Sequence, residues 1–101
     1  MIIEKEILDK ITKSHDETIT KDINVTYKYL SKHVPCYIVK TINKRHSSYS
    51  IKHQLQRILD VYVSNLDVKY CMELLGGKSW HEGINYYYAI SQKWYNKIDE
   101  L

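Results

Sequence analysis

The 101-residue sequence is short of glycine and proline (three Gly, one Pro), has two cysteines and no phenylalanine, and contains no long apolar run. Few Gly and Pro speak against a β-sandwich or barrel, whose many tight turns require them. A membrane-spanning helix needs about 18 or more consecutive apolar residues. Charges interrupt every apolar stretch here, including the N-terminal Met1-Ile-Ile-Glu-Lys-Glu6, so the sequence predicts neither a membrane span nor a signal peptide. Cys36 and Cys71 stand far apart, outside any C-x-x-C pattern, and read as free thiols of a reducing, cytoplasmic compartment.

Motifs that carry chemistry are also missing. Gly77-Lys78-Ser79 has the end of a phosphate-binding loop, but Met72 stands where its upstream glycine is required. His81-Glu82-Gly83-Ile84-Asn85 has half of a zinc-protease helix, with Asn85 in place of the second histidine. Cys36 beside His33 is a conceivable thiolate pair, although a cysteine at a helix end is more often structural. We therefore expect no catalytic residue, metal ligand or cofactor, and not an enzyme.

What is present is tyrosine and a concentration of positive charge. Ten Tyr and two Trp make up the aromatic set. Tyrosine buries a ring while keeping its hydroxyl wet, which suits both core edges and binding surfaces. Residues 21–57 hold eight cations (Lys21, Lys28, Lys32, Lys40, Lys44, Arg45, Lys52, Arg57) against Asp22 alone, a net of +7. Residues 1–20 and 58–101 are each −2, and the whole chain is +3. A basic segment on a mildly acidic body is the footprint expected for phosphate backbones. A solvated lysine-rich face is the plainer reading of the same residues.

Apolar spacing predicts a first helix over Ile3–Thr12, with Ile3, Ile7, Leu8 and Ile11 on one face, then a polar loop over 13–21. Residues 22–48 admit two readings. Ile23, Val25, Tyr27 and Tyr29 alternate and 36–42 is β-prone, which allows a hairpin turning near 31–35. The favoured reading is helical: Asp22 caps a helix facing inward with Ile23, Tyr27 and Leu30, and Pro35 opens a second with Ile38, Val39 and Ile42 buried. Further on, Ser50 opens a helix to about Ser64, with Ile51, Leu55, Ile58, Leu59, Tyr62 and Val63 at helical spacing. Asp67 caps Val68–Leu75, which Gly76 and Gly77 stop. Ser79-Trp-His-Glu82 fits a capping box opening a helix to about Ile98. The expected fold is thus all-α, a single compact domain over 1–101, with a short hairpin in 22–45 as the exception.

The string Val68-Lys-Tyr-Cys-Met-Glu-Leu-Leu-Gly76, followed by Lys78-Ser79-Trp80 and Ile84, resembles helix-turn-helix DNA-binding domains, with Cys71, Gly76, Ser79 and Ile84 in the small-residue, turn, cap and buried-aliphatic places. It departs from that pattern in the wider spacing from Gly76 to Ile84. Shifts of 45 and 48 residues align apolar positions of 1–48 with those of 49–101, which would make a tandem of three-helix units with a groove between them. The resemblance implies a DNA partner for a nucleic-acid-binding regulator. Its first recognition helix would be Cys36–His46, presenting Tyr37, Lys40, Thr41, Lys44 and Arg45, with Lys32 and Lys52 nearby. The second would begin at Ser79 and present His81, Asn85 and Lys93, with Lys78 nearby. The alternative is a protein-interaction module or inhibitor of a host complex, of the kind found among small phage and archaeal-virus accessory proteins. It would use an aromatic helix face carrying Trp80, Tyr86, Tyr87, Tyr88 and Trp94. Either reading leaves room for a homodimer.

Overall fold

A computed structural model describes all 101 residues, and it is a mixed α/β fold. Five helices, α1 (Lys5–Lys10), α2 (Ile23–His33), α3 (Ser48–Leu59), α4 (Asn65–Leu75) and α5 (Gln92–Asp99), accompany a three-stranded antiparallel sheet. Its strands are β1 (Ile38–Ser47), β2 (Ser79–Glu82) and β3 (Asn85–Ile90), in the order β1-β3-β2. The expected all-α fold is overturned. Both segments assigned to recognition helices are strands or hairpin, so the fold has no helix-turn-helix unit there.

The helices with the clearest apolar period form where expected. In α2, Ile23, Thr26 and Leu30 point inward. In α3, Ile51 and Leu55 do so, but Ser47 rather than Ser50 is the N-cap and Asp60, in the left-handed region (φ 54°), ends the helix early. In α4, Ser64 and Asp67 form a reciprocal capping box, so the helix starts three residues before the expected Val68. Gly76 closes it with φ 73°, a conformation that suits glycine.

Two corrections account for the sheet. Pro35 opens only a 3₁₀ turn over Pro35–Tyr37, and the β-prone run after it extends as β1. The partner of β1 is β3, 40 to 52 residues away, and not the 23–29 segment. The expected Ser79–Glu82 capping box is instead the strand β2, joined to β3 by Gly83-Ile84. Gly83 at φ 61° followed by a residue of negative φ is the pattern of a two-residue type II′ hairpin turn. The Tyr-rich run after it is β-forming, and Tyr86, Tyr88 and Ile90 enter the core. Only the last turns of the expected long helix survive, as α5, burying Trp94, Tyr95 and Ile98.

The core centres on α4, the one helix buried along most of its length. The first 22 residues have little regular structure and strap across it through polar bonds. The Glu4 amide donates to the Tyr70 hydroxyl (2.7 Å) and the Thr12 amide to that of Tyr86 (3.1 Å). The Ser64 hydroxyl donates to the Thr18 carbonyl (2.7 Å), and the Thr20 amide to the Asp67 carboxylate (2.9 Å). No helix is long and apolar enough to cross a membrane. Cys36 is exposed and Cys71 buried, both free.

Candidate nucleic-acid interface

The face of the sheet turned away from the core is built by strand alternation and by irregularity. Tyr86 and Tyr88 point inward, so Tyr87 between them points outward. Trp80 on β2 lies directly opposite Tyr87 and shares its face. Their ring centroids are 5.7 Å apart, tilted by 42°. Trp80 is 40% exposed, a large ring for a strand to leave uncovered.

β1 is twice interrupted. Ile38 pairs with Ile90, Asn43 with Tyr88 and Ser47 with Tyr87, so ten residues of β1 run beside four of β3. Bulges of this kind re-aim side chains, and on this edge strand Lys40, Thr41, Lys44 and Arg45 are exposed. Polar and aromatic partners fix the irregular path. Asn43 Nδ2 donates to the Ile90 carbonyl (3.4 Å) and to Gln92 Oε1 (3.0 Å), while Asn43 Oδ1 accepts from the Arg45 amide (3.0 Å). The ring of His46 stacks on Tyr95 at 4.1 Å.

From the second bulge, Lys44 reaches across β3 and sets its ammonium 4.2 Å from the centre of the Trp80 ring. Lys78 reaches the opposite way and donates to the Lys40 carbonyl (3.4 Å). The protein's two ion pairs are His15–Asp16 and Lys69–Glu17, so Lys40, Lys44, Arg45 and Lys78 have no carboxylate partner. A second cation–aromatic group stands at the start of α3, where Lys52 lies 5.5 Å from the Tyr49 ring centre and 5.7 Å from that of Tyr62. Those tyrosines are 50% and 64% exposed.

The residues singled out from the sequence are thus divided. Lys40, Thr41, Lys44, Arg45, Ser79, Trp80 and Tyr87 belong to the sheet, with Lys78 just before β2 and Lys52 on the adjoining α3. His81 is on β2, but its ring stacks on Tyr86 (4.9 Å) and not on the Trp80 side. Lys32 lies on α2 beside an open groove lined by Val25, Lys28, Tyr29, His33 and Leu59. Tyr37 packs against the core, and its carbonyl accepts from the Ser91 amide (2.8 Å). Asn85 turns back to α4, accepting from Asn65 Nδ2 (3.4 Å). Tyr86, Tyr88 and Trp94 are buried and offer no surface to a partner. Burial raises the phenols of Tyr88 and Tyr95 and the thiol of Cys71. Cys36 Sγ meets the His33 carbonyl (3.3 Å), not its ring, so the sequence's thiolate pair is not formed.

Sequence reasoning missed the Lys44–Trp80 pairing, because it placed the two residues on helices in different halves of the chain. It also buried Tyr62 and Val39, both of which are exposed. The available signal was Gly83-Ile84 between two β-prone runs. No protein-family model, curated protein or solved structure matches the chain.

Proposed function

We propose that this protein binds nucleic acid on the outer face of its sheet, and that it acts as a regulator by occupancy. The observation that carries the reading is Lys44 over Trp80, beside Tyr87, with three further exposed cations, Lys40, Arg45 and Lys78, on β1 and just before β2 and without a carboxylate partner. Cations with no carboxylate to neutralise them attract phosphates and release counterions on binding. Rings beside them offer the stacking that accompanies such contacts. The test is fluorescence anisotropy with labelled oligonucleotides at about 50 and about 200 mM salt. Phosphate-driven binding weakens steeply across that interval. Absence of binding at the lower salt refutes the reading.

The rival reading, a protein-interaction module, draws on Ile38 and Val39, which are exposed at the start of β1 instead of buried in a helix. It predicts an interface that tolerates salt and does not require Lys44, Arg45 or Lys78.

A further inference from the structure

The nucleic acid this face fits is single-stranded. We infer that unpaired bases stack on Trp80 and Tyr87, with the phosphate backbone running past Lys44, Arg45 and Lys78 toward Tyr49 and Lys52 on α3. This rests on the proposed function and narrows it to a ligand class.

Three observations separate a single strand from a duplex. The first is the supply of exposed rings. A duplex hides its base faces in its own stack, so protein rings find nothing to stack on, whereas every unpaired base presents a π-face. Trp80, Tyr49 and Tyr62 are all 40% exposed or more, and each has a lysine ammonium within 6 Å of its centre.

The second is their arrangement. Trp80, Tyr87 and Ser47 form one row across β2, β3 and β1. Tyr49 follows Ser47 by two residues, within about 7 Å along the chain. Rings and lysines therefore follow one another along a path that a flexible strand can trace.

The third is that the elements able to read a duplex groove are held back. The major groove admits a helix or a two-stranded ribbon, and β2–β3 is such a ribbon. Its tip is pinned to the body: the Ile84 carbonyl accepts from Lys69 Nζ (2.9 Å) and from Asn65 Nδ2 (3.5 Å) on α4. Lys40, Lys44 and Arg45 sit on the irregular strand β1 and Lys78 just before β2, not along a helix.

Two tryptophans make the experiment specific, because Trp94 is 1% exposed in the core and Trp80 is on the surface. Tryptophan emission and anisotropy are followed together while the full-length protein is titrated with a single-stranded DNA, its RNA equivalent and a duplex of equal length. We expect either single strand to bind at least about tenfold more tightly than the duplex and to quench the Trp80 emission. Preference between the DNA and RNA arms then shows whether the 2′-hydroxyl is read. Trp80→Leu keeps an apolar contact with Tyr87 but removes the stacking ring. It should weaken single-strand binding on the order of tenfold and abolish the quench, while Trp80→Phe, a folding control as well, keeps most of the affinity. Duplex binding as tight as single-strand binding, with Trp80 emission unchanged, overturns the inference and leaves the nucleic-acid reading standing. Undiminished single-strand binding by Trp80→Leu overturns it as well. Failure to bind any of the three ligands removes both.

Discussion

Lys69 and Lys44 are the same residue type in opposite situations. Lys69 lies inside the protein, its side chain 0% exposed, and its ammonium meets Glu17 (2.8 Å), the Ile84 carbonyl (2.9 Å) and the Thr12 carbonyl. Two carbonyls accept its hydrogen bonds and the carboxylate balances its charge. Lys44 lies on the surface, over a ring, with no carboxylate near it. The buried cation ties together the N-terminal strap, the hairpin tip and α4, three parts far apart in sequence. The exposed cation ties nothing that the fold needs. Charge in the interior ties this structure together, and the charge of Lys44 on the sheet is not used by the fold.

That contrast is most easily broken from the inside. Lys69→Met leaves the Glu17 carboxylate, 9% exposed, without its counter-ion. Removing one member of a buried pair costs about 3–5 kcal/mol. Urea unfolding should show a loss of that size, and Lys69→Met with Glu17→Gln together should recover part of it, because no uncompensated charge remains. A loss under about 1 kcal/mol in the single variant would mean that the strap is not held by this pair.

On the surface the same kind of change should act on binding alone. Lys44→Ala, Arg45→Ala and Lys78→Ala combined should weaken nucleic-acid binding tenfold or more and flatten its logarithmic salt slope by about 2, three phosphate contacts at roughly 0.7 each for a single strand. Stability should change by no more than about 0.5 kcal/mol per site, as for surface substitutions generally. A triple variant that binds normally would move the interface elsewhere, with the Lys28–Lys32 groove beside α2 the next place to look.

Ser64 sharpens the interior side. Its hydroxyl accepts from the Asp67 amide (2.9 Å) and donates to the Thr18 carbonyl (2.7 Å), so it caps α4 and holds the strap at once. Ser64→Ala should cost about 1–2 kcal/mol, the upper range for an N-cap. Amide exchange should speed up in residues 12–20 as well as in the first turn of α4. Exchange confined to α4 would show that the strap is held by other bonds.

What was legible in the sequence follows the same division. The apolar period of α2, α3 and α4 is a local signal, and it located all three helices. Gly76, a local conformational signal, ended α4 where expected. The sheet was not legible, because its central pairing joins Ile38–Ser47 to Asn85–Ile90 and no local window contains both. Ser79-Trp-His-Glu82 satisfied the capping pattern as well as Ser64-Asn-Leu-Asp67 did. Only the second sits in a helix, because the β-prone Tyr86–Tyr88 run and the Gly83 turn give the first a strand partner. The basic segment was legible as composition. The site was not, since Lys44 meets Trp80 only through the bulges of β1 and the order of three strands. Core and surface aromatics were likewise indistinguishable while 79–98 was read as one helix: strand alternation sends Tyr86 and Tyr88 inward and leaves Tyr87 outside.

The smallest effect tests whether unpaired cations tolerate another charge. His33 lies on α2, next to Lys32 and near Lys97 of α5, with the ring of Tyr29 4.4 Å away and tilted by 40°. Its pKa is held below the usual 6.5 by partial burial first, then by the two lysines. The folded state therefore disfavours the protonated imidazole that the unfolded chain accepts freely. The corresponding stability is present above about pH 6.5 and is lost as pH falls below it through the lowered folded value. Between pH 7.5 and pH 5 the urea midpoint should drop slightly more in the parent protein than in His33→Gln, which cannot take up the proton. Equal drops would place the acid sensitivity elsewhere, whereas the expected difference would show that this basic surface resists further positive charge, as a surface suited to anions should.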